Sequence, residues 1–241
     1  ELERAVTAMK QPPGAILTVS APNRPSASPL QFPSEFKPLH RNMHPSRYAD
    51  MFLNYLALTR GFGGDTERVA EMFNMHYALS GEFAWRLILP FFVEHALLGW
   101  TGREIRNGSR HRYHSRGSKD LIFNTDLAKK SKAHTLLIVE GPLDAVKMHY
   151  YGHSTGYAAV ATLGVSVTSS QIDCLSRLLT SFEIGIVLFD RDMLVNGLPL
   201  AAELEANSGR IVRAQFLAQY KDPGEIPPEK VPQLCAELSH F

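Results

Sequence analysis

Leu136-Leu-Ile-Val-Glu-Gly-Pro-Leu-Asp-Ala-Val-Lys-Met-His149 is the stretch from which the rest of the chain is read. Leu136 to Val139 is an apolar run long enough for a buried strand and too short for a helix. It stops at Glu140, and Gly141-Pro142 breaks the strand. Proline is tolerated in the first turn of a helix, which puts Asp144 near a helix start. An acid at the carboxyl end of a buried strand stands where open α/β sheets bind their ligands. The pattern returns at Ile184-Gly-Ile-Val-Leu-Phe189, which runs into Asp190-Arg-Asp192. In extended chain alternate residues share a side, so Asp190 and Asp192 present their carboxylates together. Such acids repel one another, and a divalent cation removes that cost. Glu140, Asp190 and Asp192 therefore suit Mg²⁺ or Mn²⁺. The plainer alternative makes each acid a helix cap or a solvated turn residue.

From Thr135 onward, strands and helices alternate, the signature of an α/β parallel sheet. Strands are expected at 135–140, 157–162, 184–190 and 210–217, with right-handed crossovers. Helices are expected at 142–151, after a cap at Ser169 or Ser170 with Ile172, Leu175 and Leu179 facing inward, and near 198–207. Lys221-Asp-Pro-Gly-Glu225 lies in the loop after the last strand. Upstream, 48–60 reads as an amphipathic helix with Met51, Tyr55 and Leu58 on one face and Phe52 and Leu56 beside it. Gly61-Phe-Gly-Gly64 ends it, and Asp65 or Thr66 can cap a short helix carrying Val69, Met72 and Phe73. Phe83 to Val93 reads as a strand, with Pro90 near its end or on an edge. His95 to Thr101 pairs with it through a tight turn. Residues 1–10 read as a helix tail and Gln11 to Pro38 as a linker or extended arm. The expected division is 1–44 for tail and arm, 45–132 for a small α+β domain, and 133–241 for the parallel-sheet domain.

The 241 residues, 44% hydrophobic and 20% charged, have the make-up of a soluble globular protein. No run has the apolar length of a membrane span, and no signal-peptide pattern opens the chain. Cys174 and Cys235 are too few for a Cys₄ zinc site, and a reduced, cytoplasmic setting is the expectation. The chain opens at Glu1 rather than methionine, as a piece of a longer protein would. Its net charge of +1 conceals an uneven spread. Arg103, Arg106, Arg110, Arg112, Arg116, Lys119, Lys129, Lys130 and Lys132 face only Glu104, Asp120 and Asp126, with His111 and His114 among them. This stretch is either a solvated loop or a phosphate-binding face.

Val139-Glu-Gly-Pro-Leu-Asp-Ala145 together with Phe189-Asp-Arg-Asp192 resembles the Toprim domain of bacterial-type primases, topoisomerases and some nucleases and recombination proteins. Ala159-Val-Ala-Thr-Leu-Gly164 resembles the second Toprim strand of primases. Arg86-Leu-Ile-Leu-Pro-Phe-Phe-Val93, Gly99-Trp-Thr-Gly-Arg103 and Arg112-Tyr113 are similar to the amino-terminal half of the DnaG-type RNA polymerase domain. Tyr55-Leu56 and Thr59-Arg60-Gly61 fit the opening helix of that family. The resemblance spans about 45–225.

It implies a Toprim-type parallel-sheet domain behind a smaller α+β domain. It also implies a catalytic acidic core of Glu140, Asp190 and Asp192, joined by Asp144 and Asp222 in holding Mg²⁺ or Mn²⁺. Arg86, Arg103, Arg112 and Lys119 match the family's basic positions, expected to bind nucleotide and template from the wall facing the acids. Lys221 is expected beside Asp222, where it can meet a leaving phosphate. Two departures stand out: Gly224 occupies a position where the family often has an acid, with Glu225 one place later, and Met193-Leu194 follow Asp192 where small residues are common. The zinc-ligand cysteines of the usual primase amino-terminal module are absent from these 241 residues.

The implied function is DNA-dependent synthesis of RNA primers in DNA replication, by two-metal nucleotidyl transfer. The implied partners are a single-stranded DNA template, ribonucleoside triphosphates and a replicative helicase, with no membrane. The divergent flanks suggest a phage or mobile-element primase. A Toprim nuclease, or a Toprim scaffold binding DNA without catalysis, are the alternatives. The Arg86–Arg112 block favours primase over nuclease, and the intact acids favour catalysis over scaffold. Trp85 and Trp100 are core residues on the plainer reading and base-stacking residues on the other.

Overall fold

The structure, a computed structural model, describes residues 28–40, 46–106, 111–190, 194–217 and 219–239. The expected helix tail at 1–10, most of the arm, Arg110 and Asp192 lie outside them.

The amino-terminal half is built on an antiparallel sheet. Strand β1 (Lys37–Pro38) precedes helix α1 (Arg47–Asn54), which is capped by Ser46 accepting from Tyr48 N at 3.2 Å. Helix α1 runs on as one π-helical turn, Tyr55–Thr59. The side of α1 that enters the core is Ala49, Phe52, Leu53 and Leu56, while Met51 and Leu58 are 45% and 83% exposed. The expected Met51–Leu58 stripe is therefore displaced around the helix. Helix α2 (Thr66–Met72) follows, then β2 (His76–Ala78), β3 (Arg86–Val93), β4 (Ala96–Glu104), β5 (Tyr113–Arg116) and helix α3 (Thr125–Lys130). The strands lie in the order β1-β2-β3-β4-β5.

Strand β2 pairs with β3 only as far as Ile88, so Pro90 sits where that flank of β3 has no partner, and a bulge follows at Phe91/Phe92. The β3–β4 turn puts Glu94 and His95 at φ 51° and 68°, the doubly positive geometry of a tight hairpin. Asp126 offsets the strain by accepting from Glu94 N at 3.0 Å and His95 N at 2.8 Å. The end of the arm does not stay outside the core. Leu30 N donates to Leu97 O at 2.7 Å, Phe36 and Leu39 are buried, and the Phe36 ring meets Trp100 edge-on at 5.3 Å. Apolar side chains spaced along an otherwise polar segment are enough to dock it.

The carboxyl-terminal half alternates β6 (Thr135–Val139), α4 (Pro142–Gly152), β7 (Tyr157–Ala161), α5 (Ser169–Leu179), β8 (Ile184–Leu188), α6 (Leu194–Ser208) and β9 (Ile211–Gln215), with α7 (Val231–Ser239) last. All four strands are parallel, in the order β7-β6-β8-β9. Leu137, Val139, Ala159, Ala161, Ile186 and Leu188 pack with α4, α7 and the antiparallel half. Leu136, Ile138, Ala158, Val160 and Val187 pack with α5 and α6. Burial on both faces is why these strands read as unbroken apolar runs.

The cap of α5 is Thr168 rather than either serine, closed by a reciprocal bond pair with Gln171. Helix α6 starts at Leu194, earlier than 198, and carries Pro199 inside it. One apolar cluster runs from Phe52, Leu87 and Phe91 into Leu137 and Val146, and Phe123 bridges Ala161. The two halves thus share a core, which fixes how their edges face each other. Among the described residues no helix is long and apolar enough to cross a membrane.

Candidate active site

Strand order places the site. From β6 the chain crosses to β7 on one side, then returns past β6 to β8 on the other. The loops after β6 and β8 therefore part and leave a crevice at the carboxyl edge, the usual ligand position of an open parallel sheet. Glu140 follows β6 directly and Asp190 stands two residues past β8, with Ile138 in register with Val187. The loop after β7 folds back on this edge, where Leu163 N donates to Glu140 O at 3.0 Å. Leu163 has φ 66°, a left-handed conformation that costs a non-glycine residue energy and occurs often at functional edges.

Asp144 lies in the first turn of α4. A Cβ on Gly141 would come within 2.3 Å of its Oδ2, and one on Gly224 within 2.5 Å of its Oδ1. Two glycines thus make the slot for this carboxylate, and an acidic side chain at Gly224 would collide with it. Oδ1 is buried without a hydrogen-bond partner, although Arg60 Nη2 is 3.5 Å away. Burial, with Asp222 and Asp190 acting in the same direction, pushes the carboxyl up to about 7 against the pull of Arg60 and Lys147. An unsatisfied carboxylate oxygen among mutually repelling acids fits a hard divalent cation. Among the described residues no three His, Cys, Asp or Glu side chains converge into a metal cage. Asp192, the second acid of its pair, is outside that set.

Lys147, one turn further along α4 and buried, donates from Nζ to the carbonyls of Gly224 and, at 3.1 Å, Ile226. Burial and Arg60 lower it to about 8 despite Asp144 and Asp222. It anchors the loop in which Asp222 accepts from Glu225 N at 3.1 Å. Glu225 in turn accepts from Lys221 N at 3.0 Å, so it closes the loop on itself. Lys221 is exposed and directly precedes Asp222.

The arginine paired with Asp144 is not one of those expected there. Arg60 ends the π-helical turn, donating from its backbone N to Tyr55 O at 3.1 Å, and Gly61 turns the chain away at φ 72°. Its side chain reaches Asp144. On the sequence, Arg60 is one residue of an Arg-Gly helix ending, and only that position hinted at a role. Arg103 on β4 donates from Nε to Tyr55 Oη at 3.1 Å and lies 4.9 Å from the Tyr113 ring centroid. The Tyr113 phenol is pushed up to about 12 by burial, with Arg103 and Arg60 opposing and Asp144 and Tyr55 reinforcing it. Contacts thus run from Tyr113 through Arg103, Tyr55 and Arg60 to Asp144, beside the crevice at the carboxyl edge.

Arg86 is placed differently. Nη1 donates to Gly102 O and His111 O at 3.2 Å and to Arg112 O at 3.4 Å, Nη2 donates to His111 O at 3.2 Å, and Glu104 is 3.7 Å away. The guanidinium ties His111 and Arg112, just before β5, to Gly102 on β4. Side chains alternate along a strand, so Arg103 and its neighbour Glu104 point to opposite faces, and Arg86 pairs with Glu104. That parity takes Arg86 off the Tyr113 side, against expectation. Arg112 is exposed, with its carbonyl accepting from Glu104 N at 2.9 Å, and Lys119 is exposed in the turn after β5. Trp100 is core, whereas Trp85 is half-buried under Arg106 at 5.4 Å.

No family model and no curated protein matches the chain. Solved structures do match it. The primase fragment of the bacteriophage T7 primase-helicase protein is similar with a TM-score of 0.56 and 15% identity, over 76% of this chain and 72% of that one. The T7 lagging-strand DNA polymerase complex with primase domains of two gp4 subunits, an RNA/DNA hybrid and dTTP gives a TM-score of 0.55 and 17% identity, over 78% and 76%. The shared property at such identity is the fold: a Toprim-type sheet behind a smaller α+β unit.

Proposed function

We propose that this chain is a primase core, joining ribonucleotides into RNA primers on a single-stranded DNA template. The observation that carries the reading is Asp144. Its buried oxygen has no hydrogen-bond partner, lies 3.5 Å from Arg60, and is under the charge of Asp190 and Asp222 at the switch point of the parallel sheet. A nuclease needs acids at the edge; a polymerase also needs cations across from them to hold phosphates.

In the reaction a primer 3′-hydroxyl oxygen bonds to the α-phosphorus of a nucleoside triphosphate. The bond from that phosphorus to the β-phosphate oxygen breaks, pyrophosphate leaves, and the hydroxyl proton goes to solvent. Mg²⁺ or Mn²⁺ held by Glu140, Asp190 and Asp192, with Asp144 and Asp222 alongside, would acidify the hydroxyl and neutralise phosphate charge. Arg60 and Arg103 offer planar, multidentate donors to the triphosphate. Their positions are held through Tyr55, whose carbonyl accepts from Arg60 N and whose hydroxyl accepts from Arg103 Nε. Lys147 keeps the Asp222 loop in place. Exposed Arg112, Lys119 and Lys221 suit contacts with template phosphates or pyrophosphate, made by charge at a solvated surface. The T7 neighbours, a primase fragment of a primase-helicase protein and primase domains with an RNA/DNA hybrid and dTTP, support a replication role with nucleic acid and nucleotide as partners.

The test is a gel assay with single-stranded DNA, labelled ribonucleotides and Mg²⁺ or Mn²⁺, run beside labelled DNA without nucleotides. Wild type should extend RNA and leave DNA uncut, and Asp190→Ala and Glu140→Ala should abolish extension without unfolding. DNA degradation would transfer the site to a nuclease. Near-wild-type extension by either alanine variant would remove the acids from catalysis.

A further inference from the structure

We propose that Tyr113 is a stacking platform for a nucleobase beside the crevice, its ring backed by Arg103. The inference rests on the primase reading and adds to it a base-contacting residue. Tyr113 opens β5, the edge strand of the antiparallel sheet, and is 36% exposed. Its neighbour Arg103 is linked by hydrogen bonds and an ion pair through Tyr55 and Arg60 to Asp144. Tyr113 is therefore partly open to solvent at the sheet edge, next to the contacts that lead to Asp144.

The Arg103 guanidinium lies 4.9 Å from the ring centroid, and its Nε–H is committed to Tyr55 Oη at 3.1 Å. That hydrogen bond holds the cation over one side of the ring, so a planar partner would take the other. Phosphate contacts are served by Arg60 and by the remaining donors of Arg103, so an exposed aromatic surface beside them has an unserved part of a nucleotide to meet. Every base has a π-face, so such a platform accepts any of the four, and the guanidinium adds a cation–π contribution. Trp85 under Arg106 repeats the pairing, but Arg106 is drawn to Glu104 at 2.8 Å, a group already bonded to the Arg86 side of the sheet.

The base belongs either to an incoming triphosphate or to the DNA strand, and two binding titrations separate these. Fluorescent ATP and fluorescein-labelled oligo-dT are titrated into wild type, Tyr113→Leu, Tyr113→Phe and Tyr113→Trp, with melting curves of each protein. Removing the ring should weaken binding of one ligand by about 5- to 150-fold, the range of a base–aromatic stack at tenfold per 1.4 kcal/mol. The ligand affected identifies the source of the base. Phenylalanine and tryptophan, which keep a ring without the hydroxyl, should hold that affinity to within about threefold of wild type. Leucine binding both ligands like wild type would overturn the platform. So would phenylalanine as weak as leucine, which would assign the effect to the hydroxyl. If leucine melts early, the phenylalanine and tryptophan variants decide: retained affinity supports the stack, and loss in both overturns it. A wild-type protein binding neither ligand would remove the primase reading and the platform together, whereas wild-type binding unaffected by leucine removes the platform alone.

Discussion

Asp144→Asn isolates the electrostatics on which the site depends. The native carboxyl is raised from an ordinary 3.8 to about 7, chiefly by burial and then by Asp222 and Asp190, with Arg60 opposing. Because the folded value exceeds the unfolded one, the folded protein holds an extra proton between about pH 4 and pH 7. This group's contribution to stability is therefore best below pH 4, falls as pH rises through that window, and stays low above pH 7. At 1.36 kcal/mol per pH unit, the ionised side chain costs about 4 kcal/mol at pH 8. Asparagine matches the shape and cannot ionise; the attraction of Arg60 3.5 Å away is already contained in the raised value, and the amide NH₂ replacing one carboxyl oxygen gives back part of the gain. A net gain of about 1–3 kcal/mol at pH 8 is expected, vanishing near pH 4. Urea unfolding of both proteins at pH 4, 6 and 8 measures it, and the difference cancels every other titrating group. Added MgCl₂ should stabilise wild type at pH 8 by mass action and the variant less, while primer synthesis by the variant falls tenfold or more. A variant no more stable than wild type at pH 8, or a stability difference independent of pH, would refute a buried carboxylate that Arg60 only partly compensates.

Three other perturbations bear on the same site. Gly224→Ala sets a Cβ 2.5 Å from Asp144 Oδ1 and 3.0 Å from Arg60 Nη2, so both side chains must shift; synthesis should fall about tenfold with a melting shift of only a few degrees. Lys147→Met leaves the Gly224 and Ile226 carbonyls without their buried donor, at about 1–3 kcal/mol for each, and limited proteolysis should open the Asp222 loop before the remainder unfolds. Arg103→Ala should weaken nucleotide or template binding and reduce its salt dependence by about one phosphate contact, and an unchanged salt slope would take Arg103 out of phosphate binding.

The parallel half could be read residue by residue because its signals are local. Leu136–Val139 and Ile184–Leu188 are buried on both faces and so are apolar throughout, and Gly141-Pro142 marks strand end and helix start without reference to any distant residue. That Glu140 and Asp190 stand at one sheet edge follows from the same units, since each acid ends a parallel strand. Strands β2 and β5 are too short to show a period, and the docking of Phe36 and Leu39 depends on Trp100 and Met75, which lie far along the chain. The choice of arginine was likewise out of reach. Arg86 and Arg103 carry the same charge on neighbouring strands, and a single step of β4 alternation sends one to Glu104 and the other to Tyr113. Arg60 reaches Asp144 because a π-helical turn and Gly61 aim it there, and the Asp144 carboxyl is raised because burial, with Asp222 and Asp190, outweighs Arg60. Strand identity is a property of neighbours in sequence, whereas side-chain direction and ionisation belong to neighbours in space, brought together only when the two halves share a core.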